Sequence, residues 1–253
     1  MEDTCVIDSP LTSHKLSFFL LKNDNCVCEF MRNGKYWEAE MCKLMGDLVS
    51  HVIDDGTILD VGSFIGTHAV ALAEKFISNK VISIEANPDY LSTQIKNIET
   101  NKLSNITTIN AIVTSEKYLN NVTIRKLDMS RVKNYGGVPI VVSADIVEDG
   151  PKSVTIDSLN LQKIKLFKLD VEEHELQVLE GAFNTIINSI PIIFIEIWKN
   201  NLKMYIHSEI FKKLFKFGYK LYKIRSSSMD YILIHKSFTY DLPNTIHHVN
   251  MYF

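Results

Sequence analysis

The stretch TILDVGSFIGTHAVALAEKF, residues 57–76, changes its periodicity at its centre. It opens as an apolar strand, turns through Gly62 and Gly66, and continues as a helix. A glycine turn at that junction lets the backbone approach a ligand closely. The spacing lacks one glycine of the dinucleotide fingerprint and lacks the Lys and Ser/Thr of a phosphate-binding P-loop. Asp60, at the end of the strand, would repel a pyrophosphate and favour a ligand carrying positive charge. S-adenosylmethionine, with an ammonium and a sulfonium, meets that condition. Glu85 closes the next strand in VISIEANPDY and is placed to accept hydrogen bonds from ribose hydroxyls. Asn87 and Pro88 then open a helix, with the proline in its favoured first-turn position. Taken alone, the two glycines would indicate only a tight turn with close helix packing.

Outward from this stretch the chain alternates between strands and helices. The strands are TILDV, KVISIE, NITTIN, IKLFKLD and PIIFIEI, and the helices are expected over 66–76, 88–101 and 172–187. Continuous Ile, Val, Leu and Phe runs suit parallel strands covered on both faces. The pattern implies a doubly wound, mostly parallel, Rossmann-like α/β sheet. GYKLYKI and MDYILIHK read as a terminal antiparallel pair. Residues 118–152 break the rhythm and read as an inserted hairpin of the kind that shapes pockets. The expected organisation is an N-terminal strand and helix extension over 1–55, the main domain over 56–240 and a tail over 241–253.

Within the extension, KLSFFLLKNDNCVCEFMRNG reads as two strands around an Asn-Asp-Asn turn. KYWEAEMCKLMGDLVSHVI reads as a helix with one apolar face. The four cysteines, Cys5, Cys26, Cys28 and Cys42, fit no zinc spacing and are read as reduced thiols. Cys26 and Cys28 would share one face of a strand. The chain has 253 residues and a formal net charge of −3. That balance gives no global case for nucleic acid. LSFFLL is too short for a membrane span or a signal core, and the protein is expected to be soluble and intracellular, in the cytoplasm.

A second constellation lies in KLDVEEHELQVLEG, where Asp170, Glu172, Glu173, His174 and Glu175 crowd a strand-to-helix turn. In an open α/β sheet the ligand crevice lies outside the carboxyl ends of the strands. Asp170 and Glu172 are therefore expected beside the crevice, on the edge where Asp60, Glu85 and Glu196 also end strands.

DVGSFIGTH, IEANPDY and KLDVEEHELQVLEG, in this order, resemble the FkbM family of S-adenosylmethionine-dependent methyltransferases over residues 57–198. VTIDSL, residues 154–159, is similar to the segment that precedes the last block. The resemblance implies a class I methyltransferase fold and methyl transfer, usually to a hydroxyl oxygen of a sugar, glycan or related small molecule. The implied cofactor contacts are Asp60, Gly62, Ser63, Gly66, Thr67, His68, Glu85, Ala86, Asn87, Ala111 and Asp170. Two residues depart from the pattern. Ser63 replaces Ala, and Glu173 replaces a Gly, which would alter the local backbone or crowd the pocket if that Gly needs a positive φ.

A hydroxyl acceptor benefits from a general base. Asp170, Glu172 and His174 are the candidates, because clustered acids raise one another's pKa. Asp170 could instead cap the helix, and Glu172 could serve the helix dipole. Glu173 and Glu175 read as a solvated first turn or, in Glu175's case, as a structural hydrogen-bond acceptor, and His174 most simply as an exposed helix residue. Trp37 and Glu38 could fold over the cofactor, with core packing the favoured reading of Trp37. His247 and His248 fall in the tail and carry no assigned role. The acids could supply oxygen ligands to a divalent metal, which nothing in the sequence demands. The competing readings are methylation of an RNA ribose and a non-catalytic module that keeps the fold. The basic, aromatic stretch at 199–225 would serve the first, although an amphipathic helix with solvated lysines explains it as well. A dehydrogenase ranks below both, for want of the third glycine.

Overall fold

The computed structural model describes residues 3–124, 132–142 and 150–249. The chain opens with β1 (Thr4–Asp8) and β2 (Lys15–Phe19), an antiparallel hairpin, followed by α1 (Val27–Arg32) and α2 (Ala39–Ser50). The alternating unit then runs β3 (Thr57–Val61), α3 (Thr67–Lys75), β4 (Lys80–Glu85), α4 (Pro88–Thr100) and β5 (Ile106–Asn110). Four short strands follow: β6 (Ile112–Val113), β7 (Val122–Ile124), β8 (Ile140–Val142) and β9 (Ser153–Val154). The second half comprises β10 (Ile164–Leu169), α5 (Glu175–Glu180), α6 (Phe183–Ser189), β11 (Ile192–Glu196), α7 (Leu202–His207) and α8 (Glu209–Phe217). It closes with β12 (Tyr219–Ile224), β13 (Asp230–His235) and β14 (Ile246–His248).

The main sheet has the order β14-β12-β13-β11-β10-β3-β4-β5. From β5 to β11 the strands are parallel, and β13, β12 and β14 complete the sheet antiparallel. The order reverses between β3 and β10, so the crevice opens above the carboxyl ends of those two strands. Both faces of the sheet are covered: Leu59, Val61, Phe167 and Leu169 sit in one apolar cluster, Ile58 and Leu166 in another. This is why the strands read as unbroken apolar runs. β7 and β8 pair as the expected inserted hairpin, of which residues 125–131 and 143–149 lie outside the described residues.

Three local expectations are corrected. The hairpin pairs β1 with β2, and the segment beginning at Cys26 is the helix α1 rather than a second strand. The cause is Asp24, fully buried, whose Oδ1 accepts hydrogen bonds from the N–H groups of Cys26 (3.3 Å) and Cys28 (2.7 Å). A carboxylate in that position satisfies the free donors of a helix start. Cys26 and Cys28 consequently do not share a strand face. The helix expected over 172–187 is two helices broken at Gly181, where any Cβ would strike the Thr114 carbonyl oxygen. His247 and His248 belong to β14, which pairs with β12. The basic stretch around α8 buries Ile210, Phe211 and Leu214 in the core, the pattern of an amphipathic helix.

The extension packs on the main unit through its own apolar cluster, in which Phe18, Met31 and Tyr36 meet Ile65, Val70 and Ile98. Asn97 on α4 and Asn101 just past its end, one turn apart, act as an extra strand edge for β2. Their side chains accept from the N–H groups of Phe19 (2.6 Å) and Ser17 (2.9 Å) and donate to the same residues' carbonyls (3.2 and 2.7 Å). Asp24 also reaches the insertion, because its Oδ2 accepts the Tyr135 N–H at 2.8 Å. Truncation of Asp24 to alanine strands these buried donors. The expected loss is about 2–3 kcal/mol of unfolding free energy, read from the urea midpoint at constant slope.

Candidate active site

The glycine turn is enforced by its neighbours. Gly62 has φ +80° and Gly66 +85°, both in the region that favours glycine. A Cβ on Gly62 would fall inside the Asp170 carbonyl group, so the turn after β3 lies directly against the turn after β10. A Cβ on Gly66 would press on the Gln94 side chain. Ser63, the departure from alanine, is buried, with its hydroxyl 3.3 Å from the Gln94 Oε1.

Above these turns lies a cleft of two lobes. The first, about 560 Å³, is lined by Gly62, Phe64, Glu85, Ala86, Asn87, Tyr90, Ala111, Asp170 and Glu172, with Gly136, Val138 and Ile140 from the insertion over it. Phe64 meets Tyr90 edge-on at 5.0 Å, and Tyr135 stacks on Tyr90 at 6.4 Å. Glu85 is buried at the rim. Its Oε2 accepts the Phe64 N–H (2.8 Å) and its Oε1 the Asn87 N–H (2.7 Å). Burial pushes its carboxyl up to about 7 against those two bonds. Each oxygen keeps a second lone pair for a ligand hydroxyl.

The second lobe, about 900 Å³, shares Gly62, Phe64, Gly136, Asp170 and Glu172 with the first. Ser63, Thr67, His68, Trp37, Glu38, Lys168, Glu196 and Trp198 complete much of its lining. Asp170, Glu172 and Glu196 bring one carboxylate oxygen each within 4.8 Å of one another. Three such oxygens could share a cation, although partly exposed carboxylates also cluster without one. Lys168 Nζ lies 3.1 Å from Asp170 and 3.7 Å from Asp60. Burial opposes the Lys168 charge, but Asp170 and Asp60 outweigh it and raise the ammonium above its usual value. Burial first, then Asp170, pushes the Glu172 carboxyl up to about 8, and the same two causes push Glu196 up to about 9.

Most residues expected at the site converge on this cleft; three are placed differently. Asp60 is fully buried and lines neither lobe; its partner is Lys168, to which it is matched in register across β3 and β10. Gly66 shapes the turn from behind without lining the cleft. His174 is neither exposed nor in the cleft: it is buried, with Nε2 2.9 Å from the Thr114 hydroxyl, and burial lowers its pKa to about 4. It fixes the turn after β10 to the strand β6 region. Trp37, favoured as core, is half-buried and lines the second lobe. Of its two readings Glu175 follows the second: it is buried, not a solvated first-turn residue, and it takes the Val171 N–H at 3.1 Å and the Tyr205 hydroxyl. Phe64 and Tyr90 were missed, though both stand inside the quoted motifs. Lys168 and Trp198 were missed because burial and exposure there depend on the packed sheet.

Topology and cleft together define the class I methyltransferase fold. The methyltransferase FkbM domain model matches residues 60–221, and the chain belongs to that family. No curated protein matches the chain in sequence. Among solved structures it is similar to methyltransferase FkbM from Methylobacillus flagellatus, with 18% identity and a TM-score of 0.43 over 73% of this chain and 45% of that one. The chain thus spans under half the length of that protein. Precorrin-6y C5,15-methyltransferase from Geobacter metallireducens is 12% identical with a TM-score of 0.47, covering 85% of this chain and 91% of that one. M. jannaschii TYW2, solved in complex with AdoMet, is 14% identical with a TM-score of 0.43, covering 92% and 84%. Among the described residues no helix is long and apolar enough to cross a membrane.

Glu173, where the resemblance implies a glycine, has φ +71°, and Glu172 has φ +53°. The backbone is therefore left-handed there and carries the strain of a Cβ, about 1 kcal/mol or more. Glu173 leans outward, its Oε1 accepting from Asn201 Nδ2 at 3.2 Å. Replacing Glu173 by glycine is expected to stabilise the fold by about 0.5–1 kcal/mol, the relieved strain less the added chain entropy, in equilibrium denaturation.

The titrating groups set a pH dependence of stability. Glu85, Glu172 and Glu196 have native values above about 4.3, their unfolded value, so each binds its proton more tightly when folded. Their contributions fall as pH rises toward about 7, 8 and 9. For His68, burial acts to lower the pKa, but Cys42 and Glu38 raise it to about 10, so its contribution also fades with rising pH. His174 acts oppositely, but only below about pH 6.5. The thermal midpoint should therefore be lower at about pH 9 than at about pH 6.5, a difference scanning calorimetry measures directly.

Proposed function

We propose that the protein is an S-adenosylmethionine-dependent methyltransferase acting on a hydroxyl oxygen of a sugar, glycan or related small molecule. The observation that carries the reading is the Glu85 carboxylate, held by two backbone N–H groups at the rim of the first lobe, with acceptor capacity left on both oxygens. A ribose diol is the group such a carboxylate suits. Phe64, Tyr90, Ala111 and Val113 supply apolar walls for a base, and Asn87 and Ala86 border it. The donor set fits the cofactor, with a slot for a flat nucleoside continuing past Gly62 into a charged lobe. When bound, S-adenosylmethionine supplies a methyl group already activated on sulfonium.

The chain's own residues then place the acceptor and take its proton. Glu172 lines both lobes, and its carboxyl, pushed up to about 8, is tuned for a base working near neutral pH. Asp170, bound by Lys168 Nζ at 3.1 Å, orients the same turn and raises Glu172 by its charge. His174 lies too deep to reach an acceptor and serves the turn.

Calorimetric titration with S-adenosylhomocysteine is expected to give saturable one-to-one binding that weakens markedly in Glu85→Ala. Absence of binding by folded protein would instead indicate a module that keeps the fold without the cofactor. With an acceptor in hand from a labelled-methyl screen, turnover should rise with pH and level off above about 8, as Glu172 loses its proton. Glu172→Gln should abolish that rise and lower kcat by about 100-fold, leaving S-adenosylhomocysteine affinity nearly intact.

A further inference from the structure

Both tryptophans of the chain line the second lobe. They come from different parts of the fold: Trp37 stands in the N-terminal extension just before α2, and Trp198 just past the end of β11. Each is carried on backbone whose neighbours are fixed. Before Trp37, Tyr36 is buried and its hydroxyl donates to the Thr67 carbonyl at 2.6 Å. After it, Glu38 contacts His68 at 3.2 Å. Before Trp198, the buried Ile197 donates its N–H to the Met229 carbonyl at 2.8 Å, and the Trp198 carbonyl accepts the Asn201 N–H at 2.7 Å. The indoles themselves are left uncovered. Trp37 is half-buried, with Phe30 meeting it edge-on at 5.6 Å, and Trp198 is 45% exposed. Single exposed apolar side chains are ordinary, but two indoles held in one concave lobe of about 900 Å³ mark a binding surface.

The charges of the lobe narrow what that surface takes. Lys168 lies between Asp60 and Asp170, and His68 lies against Glu38, so neither is left for a phosphate. Among the described residues no other lysine and no arginine lines the lobe. Its acids, Glu38, Asp170, Glu172 and Glu196, outnumber its cations, and an anionic ligand meets repulsion there. A nucleic acid binds chiefly through lysines and arginines set against its phosphates, and the lobe offers none free. Glu172 and Glu196 hold their protons up to about 8 and about 9, chiefly through burial. A protonated carboxyl both donates and accepts, which suits a hydroxyl. Asn134, from the insertion, adds an amide to the same lining.

We infer that Trp37 and Trp198 form the acceptor platform, on which an uncharged sugar ring lies with its C–H face against indole and its hydroxyl rim toward the carboxyls. The face of an indole is electron-rich, and the C–H bonds of a sugar, polarised by the neighbouring oxygens, carry partial positive charge toward it. The inference rests on the methyl-transfer reading above and deepens it. Among hydroxyl compounds it selects neutral sugars over sugar phosphates and RNA. It assigns Trp37 to the acceptor rather than to the cofactor, and so gives the N-terminal extension a direct part in specificity. The two tryptophans bind and orient the acceptor and take no part in moving its proton.

Labelled-methyl transfer to three sets of probes tests this: neutral methyl hexosides and disaccharides, hexose phosphates, and a short RNA. Label is expected in the neutral set, with kcat/KM about tenfold or more above either charged set. Trp37→Ala and Trp198→Ala should each raise the KM for the best neutral acceptor by about tenfold or more, while S-adenosylhomocysteine affinity changes less than about twofold. Trp198→Phe should recover much of the loss, because it restores an aromatic face. Transfer to the hexose phosphates or to the RNA as good as to the neutral set would overturn the inference and leave the cofactor reading standing. So would an unchanged KM in either alanine variant that folds, or a parallel loss of S-adenosylhomocysteine affinity. Absence of transfer to every neutral probe, by protein that binds S-adenosylhomocysteine, would do the same. Folded protein that does not bind S-adenosylhomocysteine removes the methyltransferase reading itself. Trp198 is the more exposed of the two, so Trp198→Ala carries the test should Trp37→Ala not fold.

Discussion

The carboxyl edge of the sheet depends on one buried ion pair. Lys168 and Asp60 face each other in register on β10 and β3, the two strands between which the sheet order reverses. Both are almost wholly withdrawn from solvent, at 4% and 0% exposure. A lysine there is tolerable only with its counter-charges, because a lone ammonium in such a place loses several kcal/mol of hydration. Asp60 supplies one and Asp170 the other. The pair therefore fixes the height of the turn after β10 relative to the turn after β3. That is the relation in which Gly62 lies flush on the Asp170 carbonyl and no side chain could be inserted between them.

From that contact the cleft takes its shape. The two turns meet at its floor, and four of the five residues that line both lobes, Gly62, Phe64, Asp170 and Glu172, belong to those turns, Gly136 coming from the insertion. Left-handed backbone concentrates here. Glu38, Phe64, Glu172 and Glu173 all have positive φ and stand at or beside the cleft. Strain of this kind persists only where the surrounding packing over-determines the conformation. The surroundings are dense: Glu175 ties the β10 turn to Tyr205, and His174 ties it to Thr114. Glu85, Glu172 and Glu196 on this edge are poorly hydrated, so their protons are held more tightly than in water. This is how one carboxyl, on Glu172, comes to titrate near the pH at which a base is useful.

The extension and the insertion are joined by Asp24, whose carboxylate starts α1 and also receives the Tyr135 N–H. Through that one buried group, Glu38 and Trp37 on one side of the cleft and Gly136 on the other belong to a continuous rim. The surface contributed by segments outside the alternating core is where a member of this family can differ in what it accepts, since the core's own edge is committed to the two turns.

Periodicity and turn chemistry determined the alternating core. TILDV, KVISIE and PIIFIEI read as strands covered on both faces, and the helix started by Asn87 and Pro88 lies where its cap predicts. The glycine turn, Glu85 and the acidic turn after β10 were legible because each is a local pattern tied to the end of a strand. What local pattern does not carry is burial. Asp60 and His174 read as ligand-facing from their positions in the motifs, yet cross-strand pairing with Lys168 and a hydrogen bond to Thr114 take both out of the cleft. Conversely, Glu38 sits more than twenty residues from the motif it joins, and only the packing of α2 on α3 brings it to His68. The sequence by itself determined which residue types stand at the strand ends; the tertiary structure decided which of them keep a free side for a ligand, because exposure depends on neighbours that are distant along the chain.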